Sequence, residues 1–451
     1  MKRRLPAPSF ADWVTRVPAE WDVERLGNVA EILFSNVDKH TIEGEMPVRL
    51  CNYVDVYKND RITRDIDFME ASATSQEIAR FQIYRDDVLA TKDSETSDDI
   101  AISSLVVEDL PNVLCGYHLA LIRSRRHRAH GPYLAWLHAC KSFRAHYEAQ
   151  AVGVTRFGLS QATFKEARVP LPPLPEQQRI AAYLNASCAA IDAAVVAKRL
   201  QLETLDAVRG SLIESAVTTG IRAEPALRRI DADWLREIPA HWEVCRIKRA
   251  VLRVDYGISE KTEEEGRFPV LKMGHIQRGE LDFSDFDFVD EVSEDLLLEK
   301  GDLLYNRTNS PDQVGKAAVF RGSRSDGITF ASYLVRLRTN HRADPYFLNY
   351  VLNSSGFLDF ARKLAIPSVQ QSNLNSTRYC RMLIPLPPAP EQQDIIAYLD
   401  EKLAELQRIA ATIGAQIATL TAYRKSLIHE YVTGQCRIAE SDSNQLMAAH
   451  G

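Results

Sequence analysis

The chain repeats one phrase, and the repeat constrains its fold more than any other feature. Val169-Pro170-Leu171-Pro172-Pro173-Leu174-Pro175-Glu176-Gln177-Gln178 returns as Ile384-Pro385-Leu386-Pro387-Pro388-Ala389-Pro390-Glu391-Gln392-Gln393, 215 positions later. The register holds through Ala182-Tyr183-Leu184 against Ala397-Tyr398-Leu399, and at Ser211-Leu212-Ile213 against Ser426-Leu427-Ile428. A second pair opens each copy: Asp12-Trp13 with Pro18-Ala19-Glu20-Trp21, and Asp233-Trp234 with Pro239-Ala240-His241-Trp242. That pair runs at an offset of 221, so the second copy is six residues shorter inside its variable stretch. A period this long marks a duplicated domain with its connector, not a solenoid of short units. The framing segments match well and the stretches between them hardly match.

After each Pro-rich phrase comes a long proline-free run of good helix formers. Pro175 and Pro390 stand where a helix begins, because proline is tolerated where the N–H has no partner. Within each run the apolar spacing is heptad-like. One row reads Leu184, Ile191, Lys198, Leu205 and Leu212 in the first copy, and Leu399, Leu406, Ile413, Leu420 and Leu427 in the second. The complementary rows are Cys188, Val195, Leu202, Arg209, Ala216 and Leu403, Ala410, Ile417, Arg424, Tyr431. Such a pattern predicts coiled-coil helices of roughly 65 Å, paired antiparallel within one chain, with polar seam residues fixing register or partner. Pairing between two chains is the competing arrangement.

The variable stretches read as short strands broken by turns, followed by shorter helices such as those beginning at Pro132 and Pro345. The expected fold is therefore α+β: two mixed domains separated by two long helices that form an intramolecular antiparallel coiled coil. The expected boundaries are a first domain over 1–170, a helix over 171–220, a second domain over 221–385, a helix over 386–435 and a disordered tail over 436–451.

Composition bounds the function. Hydrophobic residues at 45% and charged residues at 26% are those of an ordinary globular protein. No apolar run reads as long enough to span a membrane, and no apolar stretch follows the basic start at Lys2-Arg3-Arg4, so a cytoplasmic protein is expected. Seven scattered cysteines without a CxxC pair suit a reducing compartment and give no zinc pattern. The net charge of −6 argues mildly against nucleic acid, yet charge distribution outweighs the sum. Arg123-Ser124-Arg125-Arg126-His127-Arg128 is one dense basic run, equally readable as a solvated loop; His127 and His130 read as solvated basic residues.

Catalytic signatures are absent from the sequence: no GxxxxGK[ST] loop, no GxSxG elbow, no HExxH helix. No Asn/Asp-Pro-Pro-Tyr/Phe methyltransferase turn occurs, and Pro311-Asp312 lacks the downstream partner of a metal-dependent nuclease. Together with two scaffolding helices, this favours a binding or assembly protein.

The Asp-Trp…Pro-x-x-Trp opening, the Pro-Leu-Pro-Pro-x-Pro-Glu-Gln-Gln helix start and the Ser-Leu-Ile helix end, in order and twice over, resemble the specificity subunits of type I restriction–modification systems. The resemblance covers nearly the whole chain. It implies two target recognition domains held apart by two helices, each domain reading one half of an interrupted, asymmetric double-stranded DNA sequence. It implies modification subunits, two of them, and motor–nuclease restriction subunits as partners. S-adenosylmethionine, ATP and magnesium are then expected on those partners, with no cofactor, metal or catalytic residue on this chain and no membrane.

The resemblance also places a reading loop after the strands ending Asp87-Val88-Leu89-Ala90 and Asp302-Leu303-Leu304-Tyr305. The candidates are Thr91, Lys92 and Ser94 in the first domain, and Asn306, Arg307, Thr308, Ser310 and Lys316 in the second. Arg and Lys suit guanine or phosphate and Asn suits adenine; a plain polar turn looks the same in sequence. A second set precedes the long helices: Arg156 in the first copy, and Gln370, Gln371 and Asn373 in the second, whose amides suit adenine or merely cap a helix. Tyr117-His118 and Tyr333 read as core, and Lys272 and His275 as weaker candidates. A coiled-coil scaffold binding proteins only remains the alternative.

Overall fold

The computed structural model describes residues 17–368 and 371–438. Asp12, Trp13, Gln370 and the tail from residue 439 onward lie outside the described residues. Two compact units divide the chain, one formed by residues up to 198 together with those from 415 on, the other by 199–414. Both boundaries fall inside long helices, Leu174–Thr218 and Ala389–Val432, so each unit owns a segment of each helix.

Each unit is built on a twisted sheet with two buried faces. In the first unit the strand order is Ala30–Phe34, Leu119–Ser124, Val88–Thr91, Ser103–Val106, Arg61–Ile62. In the second it is Val251–Tyr256, Leu334–Thr339, Leu303–Asn306, Ala317–Val319. Strand alternation sorts the side chains to opposite faces. Val88, Ala90, Ala120 and Ile122 meet the helices in one core, while Leu89, Leu119 and Leu121 meet a smaller three-stranded sheet in another. Leu303, Tyr305, Val335 and Leu337 repeat the first arrangement, and Leu304 and Leu334 the second.

The repeated phrase now has physical reasons. Val169-Pro170-Leu171 lies in a strand antiparallel to Asp22–Arg25, and Ile384-Pro385-Leu386 in one antiparallel to Glu243–Arg246. Each two-stranded pair leaves its prolines at an edge, where a missing donor costs little. The glutamine that follows is fully buried. Gln177 donates to the carbonyls of Arg128 (3.1 Å) and Pro172 (2.8 Å), and its Oε1 accepts from the His130 amide (2.8 Å). Gln392 does the same with Arg342 (2.9 Å), Pro387 (2.9 Å) and the Asp344 amide (2.7 Å). One amide side chain thus satisfies three backbone groups where a long helix begins beside a shorter one.

Within each unit the two helix segments run antiparallel. In the first, the Tyr183 and Tyr431 rings lie 4.6 Å apart and Asp192 pairs with Arg424 at 3.0 Å, so one number rises as the other falls. In the second, Gly220 and Arg222, just past the end of the first helix, lie beside Glu391 at the start of the other. Leu184, Ile191, Leu399, Ile413 and Leu427 are buried, and Lys198, Leu205, Leu212, Leu406 and Leu420 half-buried. The seam arginines tie helix to domain. Arg424 reaches Asp60 (3.1 Å) as well as Asp192, and Arg209 donates to the Arg278 carbonyl (2.9 Å).

Three sequence expectations need correction here. The helix Leu174–Thr218 does contain an 18-residue stretch apolar enough, by length and composition, to cross a membrane. Its alanines raise the apolarity, while Leu184, Cys188 and Ile191 pack in the first unit's core and Asp192 carries an ion pair. Residues 436–438 are not a loose tail: Arg437 pairs with Glu176 at 2.7 Å and Ile438 is buried in the first unit's core. The basic run is not a solvated loop at its start, because Arg123 is forked onto Asp87 at 2.7 and 3.0 Å and His130 is half-buried.

Candidate nucleic-acid interface

The two candidate segments of each copy, about 60 residues apart in sequence, meet in space. In the first unit Asp93–Ser94, which follows the strand Val88–Thr91, pairs with Phe157–Gly158, which in turn pairs with Val152–Gly153. In the second, Thr308–Asn309 pairs with Gln371–Asn373, which pairs with Ile366–Ser368. Each unit therefore carries a three-stranded platform made of a turn and a hairpin. The backbone bonds that fix it are the same in both. The Lys92 amide donates to the His118 carbonyl (3.0 Å) and the Leu159 amide to the Lys92 carbonyl (2.8 Å). The Arg307 amide donates to Tyr333 (3.0 Å) and the Leu374 amide to Arg307 (2.8 Å), all at the offset of 215.

The side chains on this shared backbone differ. In the first unit Arg156 donates its Nε to Asp93 at 2.9 Å, while His118 Nδ1 lies 3.0 Å from the other carboxylate oxygen. Lys92 turns inward. Its Nζ donates to the Ser35 carbonyl (3.0 Å) and sits 4.5 Å from the Tyr117 ring centre and 5.2 Å from that of Phe34. Burial pulls the Lys92 pKa below its ordinary value, while the rings favour the cation. Lys92 is thus a strut under the turn, its ammonium held by the Ser35 carbonyl and two rings instead of being presented to a guanine or a phosphate. The turn beyond it, Asp93 to Asp99, carries Asp93, Glu95, Asp98 and Asp99, so it repels phosphate and suits base edges that donate, such as cytosine N4.

In the second unit Arg307 lies over the Tyr256 ring at 5.1 Å and donates Nη1 to the Ser332 carbonyl at 3.1 Å, its Nε without a partner. Asn373 Nδ2 donates to Thr308 Oγ1 (2.9 Å), and Ser310 Oγ to Asp312 (2.7 Å). Gln371 is exposed, and Lys316 is half-buried, its Nζ on Gln313 Oε1 (2.7 Å). Burial lowers the Lys316 pKa.

Thr91 and Asn306, the first residues of the two candidate loops, are corrected to scaffold positions. Both are buried: the Thr91 hydroxyl accepts from the Ile102 amide (3.0 Å), and Asn306 Oδ1 has no partner. Ser94 is half-buried where its strand pairs with Phe157. Lys272 and His275 are occupied locally, Lys272 with Asp287 and His275 Nε2 with the Asp285 carbonyl at 2.6 Å.

Aromatic residues were missed. Tyr117 and Tyr333, read as core, are 48% and 47% exposed, and Tyr53 and Tyr256 are exposed beside the same turns. Tyr53 and Tyr117 both meet His118 edge-on, at 5.9 and 5.0 Å. Their recurrence next to each turn (Tyr117-His118 before Leu119, Tyr333 before Leu334) was the available signal.

Comparison with known proteins gives a consistent picture. The model of the type I restriction modification DNA specificity domain matches residues 18–203. The putative type I restriction enzyme MjaX specificity subunit of Methanocaldococcus jannaschii is 26% identical over 203 residues, 44% of this chain and 47% of that protein. The chain therefore spans about half the length of that relative. The EcoKI specificity subunit of Escherichia coli K12 is 22% identical over 301 residues, 65% of this chain and 63% of that one. The MjaVIII specificity subunit of M. jannaschii is 20% identical over 94% of both. Among solved structures, a chain of a type I R-M complex aligns with a TM-score of 0.73 at 17% identity, covering 93% of this chain and 100% of its own. The HsdS subunit of Thermoanaerobacter tengcongensis aligns with 0.53 at 18%, covering 93% and 98%. At these identities the structural likeness speaks for the fold.

Proposed function

We propose that this chain is a DNA specificity subunit of a type I restriction–modification system, like the proteins it resembles, and reads double-stranded DNA through two platforms, one per unit. The observation that carries the reading is one backbone frame built twice with different exposed side chains. Base readout requires such a combination, because geometry must be fixed while donors and acceptors vary. The target is then interrupted and asymmetric, since the first platform offers acidic groups and a clamped arginine and the second offers amides and Arg307.

The chain positions chemistry that other subunits perform. Two modification subunits supply S-adenosylmethionine-dependent methylation, and restriction subunits supply ATP- and magnesium-dependent cleavage; this chain has no catalytic role. The test is a gel shift with random-sequence duplex DNA at low salt, with and without the modification subunit, followed by sequencing of the bound fraction. Enrichment of a bipartite motif supports the reading. Protein–protein assembly without any DNA retention would favour the scaffold alternative, and labelled methyl transfer by the pure chain would overturn the non-catalytic assignment.

A further inference from the structure

The hairpin of the first platform ends in a side chain that turn chemistry does not explain. Val154 is 93% exposed, the largest exposure of any large apolar side chain among the described residues, and Val152 on the same hairpin is 62% exposed. Tight turns favour Gly, Asn, Asp, Ser and Pro, each for a backbone reason that a β-branched residue lacks. The tip is nonetheless held firmly. Arg156 is clamped to Asp93, and Gly153 packs so closely that a Cβ there would lie 1.9 Å from the Arg156 carbonyl. The second copy has a valine at the same sequence register, Val369, which lies outside the described residues.

We propose that Val154 is a specificity-determining residue that takes the C5-methyl group of a thymine in the half-site read by the first unit. The inference rests on the DNA-reading function proposed above and adds the base and the contact. The thymine methyl is the one apolar group on a base edge in the major groove, and short apolar side chains are its partners. The clamp leaves Arg156 partly neutralised, and Asp93 and Glu95 stand in the facing turn, so this surface is poorly suited to lying on phosphates. A base-edge position is the one that its chemistry fits. A side chain as short as valine is a poor wedge between base steps, a task of longer residues and proline.

The experiment uses the full chain with its modification subunit and the duplex selected from random DNA. Each thymine is replaced singly by deoxyuridine, which removes only the methyl. The expected result is that one replacement in one half-site weakens wild-type binding about fourfold, the worth of one buried methylene-sized group. Val154→Ala should weaken binding to the thymine duplex by a similar factor and be indifferent to that replacement. Val154→Thr, which retains one methyl, should recover part of the sensitivity. Wild-type binding insensitive to every deoxyuridine, or a Val154→Ala variant with the wild-type deoxyuridine profile, would overturn the contact while leaving sequence-specific DNA reading intact. Failure of the wild-type complex to select any sequence would overturn both.

Discussion

The two units solve the same packing problem with different residues, and the difference separates a shared scaffold from a variable surface. Their central strands, Val88–Thr91 and Leu119–Ser124 in one, Leu303–Asn306 and Leu334–Thr339 in the other, occupy the same registers 215 apart. Asp87 with Arg123 and Asp302 with Arg338 form the same ion pair on both sheets. The units part company between the strand ending at Cys51 or Leu271 and the strand beginning at Val88 or Leu303. There the first unit has two α-helices, Tyr53–Lys58 and Ser75–Phe81, while the second has a two-residue hairpin and 3-10 turns. Five of the six residues of length difference lie in this region, which holds 36 residues in the first unit and 31 in the second. A duplicated chain can therefore vary a surface segment freely so long as its ends return to the same sheet.

The comparison breaks most sharply at Arg336. Its side chain is fully buried, pairing with Asp255 at 2.6 Å and reaching Asp302 at 3.5 Å, where the first unit has Leu121. Arg336→Ala leaves Asp255 with Arg253 alone and takes the buried donor from the Leu297 and Asp295 carbonyls, and should cost about 3 kcal/mol. Denaturant unfolding followed by hydrogen exchange should show the loss in the second unit. Replacing Arg336 by Leu together with Asp255 by Leu imports the first unit's solution and should be far milder. A double variant as damaged as Arg336→Ala would show that the two cores are not interchangeable here.

Acid should distinguish the units next. His138 is buried, its Nδ1 bonded to the Leu134 carbonyl at 2.7 Å, and desolvation pushes its pKa from 6.5 down to about 4. The second unit has Asn353 at that register. A depressed folded-state pKa gives stability that is present above about 6.5 and lost as pH falls toward 4, on the order of 3 kcal/mol. Hydrogen exchange from pH 7 to 4.5 should therefore show protection falling at the strands packed around His138. His138→Asn should flatten that dependence; an unchanged pH profile would remove His138 as its source.

The buried glutamines should behave alike. Gln177→Ala and Gln392→Ala each leave a buried amide N–H and two carbonyls without partners, at about 2–3 kcal/mol apiece. Thermal unfolding of the two variants should give matching losses, and a large asymmetry would mean that the two helix starts are not equivalent. The smallest effect concerns the turns. Arg307→Ala should weaken DNA binding by about 1–3 kcal/mol if the guanidinium reads a guanine. Lys92→Ala should instead lower stability and leave the salt dependence of binding unchanged, because Lys92 is occupied by Ser35 and two rings. A flatter salt slope for Lys92→Ala would restore it as a phosphate contact.

The duplication, the two helices and their heptad faces are legible in the residues alone. Those properties are local or periodic: proline and the Glu-Gln-Gln turn mark a helix start, and apolar residues every three or four positions mark a buried stripe. The identity of Gln177 and Gln392 was legible as a repeat, though not the reason for it, which is three backbone partners, two of them in the segment that leads into the shorter helix. The proposed reading surface, by contrast, follows from the tertiary fold alone. Ser94 and Phe157 are far apart in the chain and become neighbours through backbone hydrogen bonds, which carry no side-chain signature. For the same reason the central strands hid their kinship: Leu119-Ala120-Leu121-Ile122 and Leu334-Val335-Arg336-Leu337 differ at most positions, yet form the same ladder. Whether Lys92 pointed outward or inward likewise depended on a carbonyl and two rings brought from elsewhere in the chain, because the orientation of a long cationic side chain is set by what surrounds it.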